Sequence, residues 1–142
     1  MWSQATARLL TSIPCDLLFH FAAGGALEPA KFTREAACAE FKDAVGILEA
    51  VCGRTGAVLL AASPWIQHTP DAAYARLKRS LEALADLYDG YRGTRVRSDR
   101  IGYFPGDGVA PDPVHSARLI GGDELYRRPM ALVQQDLSPA AT

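Results

Sequence analysis

The side chains most able to do chemistry are few and scattered. Three cysteines, Cys15, Cys38 and Cys52, form no Cys-x-x-Cys pair and leave an odd count. That pattern reads as reduced thiols in a reducing compartment, not as a disulfide framework or a zinc site. His20, His68 and His115 stand far apart, none with a cysteine or a second histidine at ligand spacing. A metal needs converging ligands, so these three read as structural or exposed histidines. Cys52-Gly-Arg-Thr-Gly56 has the Arg-Thr-Gly ending of a cysteine-phosphatase loop. Such a loop needs its thiolate several residues before the arginine, so that both groups face one phosphate. Leu48 stands at that position, and Cys52 is too close to Arg54. The sequence holds no Gly-rich phosphate loop, no Gly-x-Ser-x-Gly elbow and no His-Glu-x-x-His helix. It therefore predicts no catalytic residue, no cofactor-binding residue, no cofactor, no metal ligand and no enzymatic activity of its own.

The densest charge follows Tyr91. Arg92, Arg95, Arg97 and Arg100 face a single nearby acid, Asp99, within ten residues. A basic run of this kind binds phosphates or an acidic protein surface, or is simply a solvated face. Asp86 and Asp89 dilute its field, aromatic interleaving stops at Tyr91 and Tyr103, and the whole chain carries net charge −1. Nucleic acid is accordingly not an expected partner. One reading of the run is a soluble helical adaptor that grips an acidic or phosphorylated partner through Arg92–Arg100.

These residues must be positioned by helices, because the clearest periodicity is helical. Over Thr69–Asp89, Tyr74, Leu77, Leu81, Leu84 and Tyr88 recur at steps of three and four, one apolar stripe on a cylinder. Thr69 is a good N-cap and Pro70 suits the first helical position. Asp89-Gly90 ends the helix, with Gly90 free to turn left-handed. Arg76, Lys78, Arg79, Glu82 and Asp86 fall off the stripe. A stripe of this kind must be buried against something, and it is the expected packing surface.

A second helix spans Thr33–Cys52, capped by Thr33, with Ala37, Phe41, Ala44, Val45, Leu48 and Val51 inward and Glu40, Lys42 and Asp43 on the remainder. Cys38 and Cys52 lie near that stripe and read as buried small hydrophobes. Cys15–Ala23 reads as one or two helical turns. Ala57–Ala62 is an apolar run that periodicity leaves open between strand and buried helix. Trp65 reads as a packing residue. A further helix starts near Asp123 and is interrupted or kinked at Pro129.

Length bounds the chain to one domain or subunit: 142 residues, 49% hydrophobic. Its apolar runs fall short of the roughly 20 residues a membrane span needs. Residues 1–15 carry Arg8, several Ser and Thr and no acid, a composition that suits a mitochondrial presequence or a retained arm. Glycine and proline concentrate in the second half, predicting irregular structure there. The expected fold is mostly α: a small helical bundle with an irregular, Gly/Pro-rich second half. Its parts are an N-terminal arm with a short helix at 1–32, a helical core at 33–125 and a C-terminal tail at 126–142.

Four marks occur in a familiar order. They are Thr55-Gly56 followed by Val58 and Leu60, the helix carrying Tyr74, the pair Tyr91-Arg92, and Gly121-Gly122 ahead of Glu124; Pro111-Asp112 lies before the last of them. In order and spacing the chain from about residue 55 resembles the 13 kDa B accessory subunit family of mitochondrial NADH:ubiquinone oxidoreductase (respiratory complex I, alpha subcomplex subunit five). The first fifty residues have no counterpart in that family. The resemblance implies a small, helical, non-catalytic subunit that supports assembly and stability of the peripheral arm. It would lie on the matrix side of the mitochondrial inner membrane, peripheral to it and without a transmembrane segment. Its partners would be other subunits of that respiratory-chain complex.

Overall fold

The computed structural model describes residues 4–20, 32–67, 70–101 and 121–135. Its centre is a parallel sheet, not a helical bundle. In chain order the elements are α1 (Gln4–Ser12), β1 (Cys15–His20), α2 (Arg34–Val51), β2 (Thr55–Ala62), a 3-10 turn (Pro64–Gln67), α3 (Ala73–Tyr88), a 3-10 turn (Tyr91–Gly93), β3 (Arg95–Arg100) and α4 (Gly122–Gln135). The sheet has three strands in the order β1-β2-β3, and both pairings are parallel. Parallel neighbours need a crossover, and α2 and α3 supply the two. Both crossovers step the same way across the sheet. The helices therefore lie side by side on one face, where they pack on each other and α3 also packs on β2 and β3.

The expectation of a mostly α bundle fails at three stretches, each for a physical reason. Cys15–His20 is a strand and not helical turns, because it pairs along β2 from Cys15↔Thr55 to His20↔Leu60. Ala57–Ala62 is the middle strand, and every one of its residues is buried. A strand covered on both faces has no solvent-facing alternation to read. Arg95–Arg100, expected as an irregular basic segment, is the edge strand β3, in register from Ala57↔Arg95 to Ala62↔Arg100. Val96 is its one fully buried side chain, which is too little for a hydrophobic pattern. Close approach of β1 to β2 explains one glycine: a Cβ on Gly56 would stand 2.9 Å from the Asp16 carbonyl oxygen.

The core fills the space between sheet and helices. Val58, Leu60 and Val96 rise from the sheet; Ala44, Ile47, Leu48 and Val51 come from α2, and Leu77, Leu81, Leu84 and Ala85 from α3. The Thr33 hydroxyl caps α2 by accepting the Ala36 N–H at 3.1 Å. α3 begins later than its sequence predicts. Its N-cap is Ala72, with no side-chain cap, while Pro70 and Asp71 lie in the preceding turn; Thr69 lies outside the described residues. Gly90 does take the left-handed conformation, at φ 79°, directly after α3. α4 runs continuously through position 129, so the proline does not end it there. No helix among the described residues is long and apolar enough to cross a membrane. Of the expected tail at 126–142, residues 126–135 belong to α4. Residues 136–142, residues 102–120 of the expected irregular second half, His68 and His115 lie outside the described residues, as does the side chain of Trp65.

Candidate functional site at the carboxyl edge of the sheet

In an open parallel sheet the chain leaves every strand at the same edge, and ligand sites form outside those carboxyl ends, most often where the strand order reverses. The order β1-β2-β3 has no reversal among the described strands, so a site at this edge rests on its side chains. His20 is the last residue of β1, and Ser63 follows the last residue of β2. Both helices run back against the strands, so their N-terminal parts lie towards this edge as well. α2 brings Glu40 and Asp43, and α3 brings Tyr74 and Lys78. The topology thus gathers six polar or titratable side chains from four elements that the sequence spreads over residues 20–78.

Lys78 is the anchor. It is only 3% exposed. Its ammonium donates to the Ala61 carbonyl at 3.0 Å and lies 5.5 Å from the centroid of the Tyr74 ring. Burial pushes its pKa below the usual lysine value, while the Glu40 carboxylate pulls it back up. Tyr74 is edge-on to Phe32, at 5.6 Å between centroids and 85° between planes. Burial raises the Tyr74 pKa, a side-chain hydrogen bond with Ser63 opposes that rise, and Glu40 adds to it. His20 is half-buried beside them. Burial and then the Lys78 charge hold its imidazole below the ordinary value, with Asp43 pulling the other way. Its Nδ1 is buried and, among the described residues, has no hydrogen-bond partner. A buried polar atom left unpaired costs about 1–3 kcal/mol, so such an atom calls for a reason.

The pH consequence has a definite sign. The unfolded imidazole takes its proton near pH 6.5, and the folded one only at lower pH. Between those points the unfolded chain holds more protons, so acid draws the equilibrium towards unfolding. The neutral ring's contribution is complete above pH 6.5 and is lost as pH falls through that value towards the folded one. His20→Gln is expected to flatten this acid slope. Urea midpoints of both proteins at pH 7.5 and pH 5 measure it, and equal pH dependence in the two would refute it.

The predicted packing stripe is turned inward. Leu77, Leu81 and Leu84 are buried in the core, Tyr74 and Tyr88 pack against it, and the Tyr88 hydroxyl donates to Glu49 Oε1 at 2.6 Å. That bond to a carboxylate is the main reason the Tyr88 pKa is pushed up to about 12. The predicted basic run meets acids of this same chain. Arg95 lies 3.2 Å from Asp89, and Arg97 pairs with the other oxygen of that carboxylate. Arg100 holds Glu82 through two nitrogens, at 2.6 and 3.1 Å. Arg92 stacks on Tyr91, 4.8 Å from the ring centroid, in a left-handed backbone conformation at φ 51°. Ion pairing within the fold leaves Arg95, Arg97 and Arg100 much less charge to offer a partner.

Two further expectations change. Lys78, assigned by its spacing to the outside of α3, is buried; Cys38, assigned to a buried stripe, is exposed, while Cys52 is buried. Sequence reading missed Glu40, Asp43, Ser63 and Lys78 as site residues. The usable signal was spacing: Glu40 and Asp43 at i,i+3 and Tyr74 and Lys78 at i,i+4 each share a helix face. Among the described residues no group of three or more His, Cys, Asp or Glu is placed to hold a metal. Compared with known proteins, the chain matches no protein-family model, no curated protein and no solved structure.

Proposed function

We propose that this chain is an α/β binding module that receives a small polar molecule at the carboxyl edge of its sheet. The observation that carries the reading is the buried Nδ1 of His20 at the end of β1, unpartnered among the described residues and set among Lys78, Tyr74, Ser63, Glu40 and Asp43. In this reading His20 meets a hydroxyl, amide or carboxyl group of the ligand. Tyr74 and Ser63 supply further hydrogen-bonding hydroxyls. Lys78, tied to Ala61 and facing Glu40, fixes the charge balance and the spacing of the two helices. Clusters of buried titratable groups with shifted pKa values concentrate at functional sites, which supports the choice of this edge.

Thermal-shift screening of small polar metabolites against the full chain tests this. Binding to the folded state alone raises the midpoint. Hits are expected to stabilise the wild type, to lose that effect in His20→Gln and to move the His20 ring resonances in NMR spectra. Hits that act equally on both proteins, or the absence of any hit that moves His20, would sink the reading.

The complex I accessory-subunit reading loses a support in the fold, since its family implied a helical chain. Here Thr55–Leu60 lies in the central strand, and Tyr91-Arg92 opens a 3-10 turn into β3 instead of a helix. Its remaining content, a structural role beside larger subunits, has its own measurement. Co-migration with an NADH-oxidising membrane complex on native gels would support it, and migration only as a free monomer would remove it.

A further inference from the structure

The outer side of the helix layer carries a second concavity, which shares no residue with the carboxyl-edge cluster. A groove of about 490 Å³ runs between α2 and α3. Its floor is apolar: Ala37 and Phe41 from α2, Ala73 and Leu77 from α3. Its rim is cationic, with Arg34 and Lys42 on one side and Arg76 on the other. Arg34 and Lys42 are eight residues apart on one helix, so they stand about 12 Å from each other along the groove. Asp71 is the one acid of the rim among the described residues; it is 95% exposed and stands 3.5 Å from Arg76. Neither Arg34 nor Lys42 has a salt-bridge partner among the described residues. The exposed thiol of Cys38 sits in the wall between them.

We propose that this groove binds a free amphiphilic carboxylate of the fatty-acyl class. The acyl chain lies along the Ala37–Phe41 and Ala73–Leu77 floor, the Arg34 guanidinium pairs with the carboxylate, and Lys42, like Arg34 unpaired among the described residues, adds its attraction from further along the groove. Three observations converge on that class. The volume lies in the range of small-molecule sites, a few hundred to about a thousand Å³. Ala37, Phe41, Ala73 and Leu77 give a short apolar floor of the kind one acyl chain covers. Among the described residues the rim carries three cations against one acid, with two of the cations in no salt bridge, so the head group is an anion. Arg34 presents a fork that fits a carboxylate with two parallel hydrogen bonds.

Decanoate below its micellar concentration is the probe, titrated into the full chain by calorimetry. Saturable one-site binding is expected. Arg34→Gln combined with Lys42→Gln is expected to weaken it about tenfold or more, the worth of one charged hydrogen bond. Both side chains are exposed, so the double variant keeps the fold, which its unfolding midpoint verifies. Decanol is expected to bind more weakly than decanoate by a similar factor. Location is read from Cys38: saturating decanoate is expected to slow its alkylation by iodoacetamide severalfold and to leave that of half-buried Cys15 unchanged. Absence of saturable binding overturns the proposal. So does equal affinity in the double variant, or decanoate binding with an unchanged Cys38 rate. An acidic amphipathic peptide that occupies the groove while decanoate does not would give it to a helical partner and overturn the proposal as well.

Discussion

Leu81→Ala is expected to lower the unfolding free energy by about 3–4 kcal/mol, the usual cost of truncating a leucine at a site that cannot collapse. Leu81 sits in the middle of α3 and is 2% exposed. It belongs to the one core cluster that joins α2, α3 and the strands β2 and β3. That position leaves little room for relaxation. One side of the void would be bounded by a hydrogen-bonded sheet and the other by a helix already packed on its neighbour. A domain of this size has about 5–15 kcal/mol to lose, so this one side chain accounts for a large share. Leu87, six residues further along the same helix, is 76% exposed. Leu87→Ala is therefore expected to change stability by less than about 0.5 kcal/mol. Guanidinium unfolding of the three proteins separates the cases through their midpoints, provided the slopes agree. Similar losses at both positions would mean that the helix is oriented otherwise.

That contrast also marks what the sequence could and could not say. α2 was legible almost to the residue, because a threonine cap and a 3.6-residue stripe are both local signals. The inward face of α3 was legible for the same reason, and so was its left-handed terminator Gly90. The sheet was not. β2 is buried on both faces and therefore shows a continuous apolar run, which a buried helix shows equally well. β1 is six residues long and becomes a strand only through its register with β2. β3 is more deceptive. Its arginines look like a surface charge cluster until Asp89 and Glu82, both supplied by α3 and its end, are seen to hold them. The candidate site inherits this difficulty. A carboxyl edge exists only once parallel strands exist, so His20, Ser63 and Lys78 had no visible common address. Lys78 is the sharpest case. One step along the helix from Leu77, it sits at the margin of the stripe, and the Ala61 carbonyl at the strand end, the Tyr74 ring and the Glu40 carboxylate together make its burial tolerable.

At the opposite edge of the sheet a neutral hydroxyl does comparable work, and its removal is the second large expected effect. Thr94 is 1% exposed, between the 3-10 turn and β3. Its Oγ1 donates to the Thr55 carbonyl at 2.7 Å and accepts the Gly53 N–H at 2.8 Å. These two bonds tie the start of β3 to the turn that starts β2, before the β2–β3 ladder begins at Ala57↔Arg95. Thr94→Val keeps the shape and removes the hydroxyl that both bonds share, leaving the Thr55 carbonyl and the Gly53 N–H without it. Each orphan costs about 1–3 kcal/mol, so a total loss on the order of 3 kcal/mol is expected. Thr94→Ser keeps the oxygen and gives up one methyl group, about 0.8 kcal/mol of burial. The order wild type, then serine, then valine in denaturant midpoint is therefore the diagnostic. A valine variant as stable as the serine one would show that the hydroxyl is a passenger and that the two strand starts are held by apolar packing alone. Amide hydrogen exchange gives the local reading, since Gly53 N–H loses its acceptor in the valine protein. Its protection is expected to fall there by more than the global loss explains.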